Sequence, residues 1–300
     1  LPGPQRAGAT DRLTAAGAVD RRPGGDGDAT AARLRAAPLE VVGRFHDASN
    51  ATLLVRLTDR DPRPLAAIAE DLGRDPGLDD LDADDLAVHK PRDGERPLWD
   101  FPEGTLHRRE VAAHALDVAL GAGLVPTTVL RDDGPYGPGS LQAFVPHDPE
   151  RHWFTLRPLL ADDATLRERV AMLAAFDVVA DNADRKGGHV LVGDGDGPVA
   201  PRLRAVDHGV TFNVEPKLRT VVWDLAAAPL PDAVRDAVAG VVAALDGRAA
   251  PPRAADLATR LAGLLDPDEV AVTRERAEAL LAAGRLPLPV GPNPLPWPLL

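Results

Sequence analysis

The pattern of apolar residues changes near residues 147–150 (HDPE), and this change constrains the fold more than any other feature of the chain. Before it lie five short strand-like runs separated by turn-forming residues: LEVVGRF, ATLLVRL, LAVHKP, LVPTTVLRD and GSLQAFVPHD. Among these runs, residues 104–123 carry an apolar stripe at helical spacing and end on glycines. After the change, residues 162–183 and most of 214–285 predict helices. The sequence therefore predicts an α+β fold with two lobes, a small antiparallel sheet with one main helix and a mostly helical second lobe.

The same pattern divides the chain into four parts. Residues 1–37 are rich in Gly, Pro and Arg without a sustained apolar face, so we expect a disordered leader. The first lobe covers 38–147 and the second 148–285, followed by a Pro-rich tail, 286–300, that packs on the surface or extends. Within the first lobe, the acidic residues 59–85 are broken by Pro and Gly and predict an irregular or partly helical insertion.

Charge and composition exclude several classes of protein. A net charge of −12 disfavours a nucleic-acid binder, which needs a basic face against phosphates, and a protein that docks on an anionic membrane. No run approaches the roughly 18 apolar residues of a membrane span, so we expect no stable membrane insertion. The absence of Cys removes disulfides and thiolate chemistry and fits a cytoplasmic protein.

Lysine is rare in this chain, and its positions are informative. Of 34 Lys and Arg residues, only Lys90, Lys186 and Lys217 are lysines. A bias towards Arg can replace Lys wherever any positive charge is sufficient, but not where a compact, flexible ammonium is needed. The lysines therefore point to possible sites, although we interpret Lys217 as a solvated residue with substrate contact as the alternative.

Four features follow one another in a suggestive order. Lys90 ends a strand, Glu110 lies in the next helix, Asp184 opens a polar loop after a long helix, and Asp207 ends a short strand before Gly209. Each alone has an ordinary structural interpretation, such as a surface lysine, a helix-end ion pair or a strand-end turn. Together, in this order, they favour a functional interpretation.

This order resembles the protein-kinase-like fold, and most closely the phosphatidylinositol 3- and 4-kinase branch. The chain looks like an actinobacterial family regarded as distantly related to these kinases. The resemblance covers roughly 39–225 and is carried by HKP with EVAAHALDVALGAGLVPTTVL, by DNADRKGGHVL and by VDHGVTF.

The resemblance implies ATP and Mg²⁺ or Mn²⁺ as cofactors and assigns a role to each residue. Lys90 would hold the α- and β-phosphates, with Glu110 orienting its ammonium, and Asp207 would bind the metal. Asp184 would orient the acceptor hydroxyl and accept its proton, and Lys186 would contact the transferred phosphoryl group.

The remaining nucleotide contacts are expected on the first lobe. The turn at 46–51 takes the position of the phosphate-covering loop but has no glycine, so Ser49 and Asn50 would donate through backbone and side chain. Val145, next to the boundary between the lobes, completes the nucleotide-binding set. Gly209 would let the chain turn sharply after the metal-binding aspartate.

One position departs from the kinase pattern. Five residues after Asp184, where kinases place an Asn that binds a second Mg²⁺, this chain has His189. Imidazole suits Mn²⁺ or Zn²⁺ better than Mg²⁺, which prefers oxygen ligands. The substitution leaves open a single metal, a preference for Mn²⁺, a metal-binding role for Asn182, or a weakened enzyme.

These features predict a phosphotransferase that acts on a hydroxyl of a protein or small molecule in preference to a lipid. The acidic net charge is the reason for placing the lipid last. Two alternatives remain: transfer of AMP to a protein, with the nucleotide reversed in the same cradle, and a nucleotide-binding pseudokinase that regulates a partner.

Overall fold

The computed structural model describes residues 26–45, 49–193 and 202–300 and shows an α+β fold with two lobes. The strands are β1 (Leu39–Arg44), β2 (Leu53–Leu57), β3 (Leu86–Pro91), β4 (Thr128–Arg131), β5 (Gly139–Ala143), β6 (Val190–Gly193) and β7 (Arg202–Ala205). The helices are α1 (Asp26–Ala36), α2 (Leu65–Leu72), α3 (Leu106–Leu120), α4 (Trp153–Leu156), α5 (Ala164–Ala180), α6 (Asp232–Leu245), α7 (Leu257–Ala262) and α8 (Pro267–Ala283). The predicted strands before residue 147 and the predicted helices after it are confirmed.

The first lobe is a five-stranded antiparallel sheet in the order β1-β2-β3-β5-β4. In this sheet β3 is central, and Lys90 lies opposite Ser140 near the end of the strand. Gly139 allows β5 to approach closely here, because a Cβ at that position would collide with the Lys90 carbonyl oxygen. The close pairing holds the backbone of Lys90 in a defined place at the edge of the lobe.

Helix α3 connects the sheet with the helical lobe. It ends at Gly121, whose left-handed backbone (φ 67°) closes the last turn. Arg109, only 1% exposed, donates from Nη1 to the Thr211 carbonyl (2.7 Å) and from Nη2 to Glu269 of α8 (2.5 Å). These buried contacts orient α3, and with it Glu110, against the second lobe.

Helix α5 runs through the core of the second lobe. Asp163 caps its start by accepting a hydrogen bond from the Leu166 amide (2.8 Å). The predicted apolar face is buried, with Val170 and Phe176 both 0% exposed. The helix ends at Asp181, a non-glycine residue with a left-handed backbone (φ 49°), and the chain enters the polar loop directly.

The predicted disordered leader is wrong for its last part. Residues 26–36 form α1, and Leu34 is buried against the sheet. Arg33 pairs with Asp59 (2.7 Å), and Arg131 donates to the carbonyl oxygens of Leu34 and Ala37 (2.7 and 2.9 Å). Residues 1–25 lie outside the described part of the chain, and the boundaries of 38–147 and 148–285 stay a prediction. None of the helices in the described ranges is long and apolar enough to cross a bilayer.

Candidate active site

Lys90, Glu110 and Asp207 meet in the cleft between the lobes. The Lys90 ammonium donates to Glu110 Oε1 in a short contact and to Asp207 Oδ1 at 3.0 Å. Glu110 is only 2% exposed, and its second oxygen accepts the backbone amide of His208 at 3.0 Å. The strand, the helix and the segment after β7 thus deliver the three side chains that the sequence singled out to one point.

The charges in this cluster stabilise one another. Burial alone would lower the pKa of Lys90, but the carboxylates of Asp207 and Glu110 outweigh it and raise that pKa above its ordinary value. Burial would raise the pKa of Glu110, but Lys90 lowers it to about 2. Lys90 also lowers the pKa of Asp207, whose side chain remains 51% exposed, so solvent weakens this effect. All three groups are charged at neutral pH.

The chain turns at Gly209 and Val210, shortly after β7. Asp207 has a left-handed backbone (φ 61°), whereas Gly209 is outside that region. A Cβ at Gly209 would lie 3.4 Å from Leu106 Cβ and 3.7 Å from Glu110 Oε1. The chain therefore turns at Gly209 without a left-handed backbone there, and the missing side chain also permits close packing against α3.

The second cluster is formed by Asp184 and Lys186. The Lys186 ammonium lies 3.3 Å from Asp184 Oδ2, and both side chains are partly exposed. Burial raises the pKa of Asp184, Lys186 lowers it, and the Asp207 carboxylate raises it again. The influence of Asp207 shows that the two aspartates lie within electrostatic range of each other.

The loop that carries Asp184 is anchored by hydrogen bonds to a buried acid, Asp177 of α5. Arg185 is 0% exposed, and its Nε and Nη2 donate to the Asp177 carboxylate at 3.0–3.3 Å. Asn182 and Thr220 also donate to that carboxylate, at 3.3 and 3.1 Å. Sequence reasoning missed this anchor, although an Asp within the apolar face of a helix (AAFDVVA) was a usable signal.

Asn182 stabilises the loop and is not placed to bind a metal. It is 0% exposed, and its Oδ1 accepts the Asp184 amide at 2.9 Å. Its backbone nitrogen donates to the Asp177 carbonyl at 2.9 Å. The structure therefore contradicts the suggestion that Asn182 replaces the missing kinase Asn.

His189 lies beside Asp207. Its Nε2 is 3.4 Å from Asp207 Oδ2, and its Nδ1 lies 3.4 Å from the Lys186 amide, which can only donate. This arrangement assigns the ring proton to Nε2. Burial lowers the pKa of His189 to about 4, so the ring is neutral at physiological pH.

The positions of Asp207 and His189 determine how a divalent cation could bind at this site. Within residues 26–45, 49–193 and 202–300, no cluster of three or more His, Asp or Glu side chains forms a preformed cage. In this part of the chain, the two potential metal ligands that face each other are Asp207 and His189. Such a pair suits a cation that arrives with substrate phosphates, since Mg²⁺ is commonly bound through one or two protein ligands plus phosphate oxygens.

The other predicted nucleotide contacts lie apart from these two clusters. Asn50 Oδ1 accepts the Arg96 amide at 2.8 Å, which ties the turn to the segment after β3, and Ser49 is exposed. Residues 46–48 of this turn lie outside the described ranges. Val145 follows β5 and is half-buried, with its carbonyl 2.9 Å from His147 Nδ1.

Lys217, the third lysine, is not a solvated residue. Its ammonium lies 3.1 Å from Asp100 Oδ2 and 5.0 Å from the ring centre of Trp99, and its side chain is only 13% exposed. Its backbone amide donates to Asp181. Lys217 thus joins the segment after β3 to the end of α5, outside the cluster around Lys90.

Comparison with known proteins defines first the fold and then the family. The structure is similar to two crystal structures of the Golgi casein kinase, one of them with Mn/ADP bound. The TM-scores are 0.50 for the Mn/ADP form and 0.51 for the other, and each is 14% identical in sequence and covers 86% of this chain. The matches span 75% and 74% of those chains, and at this identity they show a protein-kinase-like fold.

The family is shown by sequence. The chain is 38% identical over 293 residues to Protein Rv2133c of Mycobacterium tuberculosis, across 87% of this chain and 91% of that protein. The chain therefore belongs to the family of that mycobacterial protein. No family model matches the sequence.

Proposed function

We propose that this protein is an ATP- and divalent-metal-dependent phosphotransferase that acts on a hydroxyl of a protein or small molecule. The observation that carries the proposal is the cleft itself, with Lys90 paired to buried Glu110 beside Asp207, and Asp184 paired to Lys186 within electrostatic range. The Mn/ADP bound to the Golgi casein kinase supports nucleotide and metal as ligands of this fold. The relation to phosphatidylinositol kinases and a cytoplasmic location remain parts of the proposal that rest on the motifs and on composition.

In this proposal, Lys90 binds the phosphates of the nucleotide. A charged ammonium on a flexible stem can follow phosphate oxygens, and Glu110 restricts where it points. A divalent cation bound by Asp207 supplies charge neutralisation for the phosphates. Because Glu110 is buried and its other oxygen is held by the His208 amide, this orienting contact is fixed before nucleotide arrives.

In this proposal, Asp184 and Lys186 act in the transfer step. Asp184 accepts a hydrogen bond from the acceptor hydroxyl and takes its proton, and the raised pKa makes the carboxylate a better base than an exposed aspartate. Lys186, whose ammonium lies 3.3 Å from Asp184 Oδ2, would contact the phosphoryl group during transfer. The bracing by Asn182 and Arg185 keeps this loop in one conformation.

The nucleotide site is tested by isothermal titration of ATP with Mg²⁺ or Mn²⁺. We expect Lys90→Met to weaken ATP affinity by at least about tenfold, since it removes the charge that holds the phosphates. Lys217→Met is the matched control, because it removes a lysine outside the cluster and should leave affinity unchanged. Equal ATP affinity for wild type and Lys90→Met contradicts the assignment.

The reaction type is tested by the nucleotide products. Phosphoryl transfer releases ADP, whereas AMP transfer releases pyrophosphate, so chromatography of the products after incubation with ATP and either metal separates the two. Asp207→Asn serves as the background for contaminating enzymes. ADP formation no faster than in Asp207→Asn contradicts the proposed transfer and leaves nucleotide binding without catalysis.

A further inference from the structure

A cavity of about 580 Å³ is formed wholly by residues 92–108, the segment between Lys90 and Glu110. This volume lies within the range of pockets that hold small molecules, roughly 300–1,000 Å³. None of its lining side chains belongs to the clusters Lys90–Glu110–Asp207 and Asp184–Lys186. The segment joins Lys90 to Glu110 along the chain, so the cavity belongs to the connection between these two residues.

The segment that lines the cavity contacts two other parts of the candidate site. On one side, the Arg96 amide donates to Asn50 of the turn that is expected to cover the phosphates (2.8 Å). On the other side, Phe101 and Leu106 pack with Ala183, the residue before Asp184. The segment that lines the cavity thus contacts both the turn that carries Asn50 and the residue before Asp184.

Three exposed arginines line the cavity: Arg92, Arg96 and Arg108. Arg92 makes only an exposed pair with Asp93 at 3.3 Å. The guanidinium groups of Arg96 and Arg108 make no ion pair with any residue that the structure describes. The lining also contains the acids Asp93, Glu95 and Glu103, so Arg96 and Arg108, which have no ion pair among the described residues, are the cations open to an anion.

Of the three acids in the lining, Glu95 does not compete for these cations. Glu95 accepts the amides of Leu106 and His107 at 3.0 and 2.8 Å and the His107 ring at 2.7 Å. Its side chain is only 7% exposed. Glu95 thus fills the start of α3, so an incoming anion meets the arginines rather than the helix terminus.

We propose that this cavity binds the anionic group of the acceptor, and that the acceptor is a small molecule carrying a phosphate group together with a free hydroxyl. Guanidinium forks match phosphate oxygens in geometry and charge. This inference rests on the proposed phosphotransferase function. In the reaction, the bond from the γ-phosphorus to the bridging oxygen of ATP breaks and a bond to the acceptor oxygen forms. The hydroxyl proton passes to Asp184, and ADP leaves.

The probe for the cavity is inorganic phosphate, titrated calorimetrically without nucleotide. The double variant Arg96→Gln/Arg108→Gln should bind phosphate at least about tenfold more weakly than wild type, because two charge-assisted contacts are lost. The control Arg235→Gln/Arg248→Gln removes two exposed arginines of the second lobe and should bind like wild type. Lys90→Met should also bind phosphate like wild type, which excludes the nucleotide site as the place of binding.

ATP titrations of the same proteins separate this inference from the proposed function. ATP affinity should depend on Lys90 and be unchanged in Arg96→Gln/Arg108→Gln. Phosphate affinity that is the same in wild type and the double arginine variant, or no phosphate binding at all, overturns the cavity assignment. If ATP affinity does not depend on Lys90 but phosphate affinity still falls in Arg96→Gln/Arg108→Gln, the nucleotide site is overturned. The anion site in the cavity is then retained.

Discussion

At the scale of single residues, His189 distinguishes this cleft from the kinase pattern that the rest of it follows. To bind a metal through Nε2, the ring has to move its proton to Nδ1 and give up the contact with the Lys186 amide. That contact is long, at 3.4 Å, so little is lost. We expect turnover of ATP to favour Mn²⁺ over Mg²⁺, because imidazole is a poor ligand for Mg²⁺.

His189→Asn should therefore move the preference towards Mg²⁺, changing the ratio of the two rates by at least about threefold. The rates are measured as ADP formed with each metal at saturating ATP. His147→Asn, at a histidine between the lobes, is the control and should leave the ratio unchanged. A wild-type protein that prefers Mg²⁺ and ignores the His189 substitution shows that the imidazole does not contact the metal.

The two aspartates of the cleft should fail in different ways when each is replaced by Asn. Asp207→Asn removes an anionic ligand and should weaken the binding of metal-nucleotide by at least about tenfold. Asp184→Asn should leave binding within about twofold and lower turnover by about 10²–10⁴, because proton acceptance matters in the transition state. Titration and turnover of both variants check this; two variants with the same pattern of losses contradict the assigned division of roles.

The resemblance to kinases, carried by motifs in the sequence, implies that Lys90, Glu110 and Asp207 meet in one site. The sequence does not show that Asp207 rather than Gly209 takes the left-handed backbone, since a positive φ is uncommon for residues other than glycine. The anchoring of the catalytic loop by Asp177 is equally hidden, because it joins groups from three segments of the chain.

At the scale of elements, the start of the described chain shows that a local sequence pattern can miss a helix held by tertiary contacts. Helix α1 has a weakly apolar sequence, and it is held by tertiary contacts: Leu34 in the core of the sheet and Arg131 on its last carbonyl oxygens. The Pro-rich tail was expected to pack or extend, and it packs. The Pro294 carbonyl accepts from the Thr220 amide (3.2 Å) and the Trp223 ring (3.0 Å).

The tail also braces the loop that carries Asp184. The Gly187 amide donates to the Leu299 carbonyl at 2.7 Å, and a Cβ on Gly187 would lie 2.6 Å from the Phe154 ring and 3.3 Å from that carbonyl. Gly187→Ala should therefore displace the loop or the tail and destabilise the protein by about 1–3 kcal/mol. Turnover should fall at least about tenfold with ATP affinity nearly unchanged, because Lys90, Glu110 and Asp207 lie on other elements.

Gly188→Ala provides a matched control for this prediction. Gly188 is exposed, and the nearest atom to a Cβ there is Leu300 Cδ1 at 4.0 Å. Thermal unfolding and steady-state kinetics of the two variants decide the matter. If Gly187→Ala keeps the melting temperature and turnover of Gly188→Ala, the tail does not brace the loop.

At the scale of the whole molecule, buried ionisable groups set how stability depends on pH. Burial lowers the pKa of His114 in α3 to about 4, with Arg260 of α7 and Arg35 of α1 lowering it further and the Thr128 backbone opposing. Burial also raises the pKa of Asp117, one turn further along, to about 6. The stability contributed by Asp117 is present at acidic pH and is lost as the pH rises through about 6, so the two groups act in opposite directions.

The contribution of His114 can be isolated by comparing pH slopes rather than absolute stabilities. The unfolded chain protonates this ring near its ordinary pKa of about 6.5, whereas the folded chain does so only near 4. Stability from the neutral ring is therefore complete above about pH 6.5 and is lost as the pH falls, by about 2 kcal/mol between about pH 7 and about pH 5. In His114→Gln this loss should disappear, while His147→Gln should keep the slope of wild type. The free energy of unfolding is measured by urea titration at the two pH values for all three proteins. An equal drop in wild type and His114→Gln would show that the buried ring is not neutral in the folded protein.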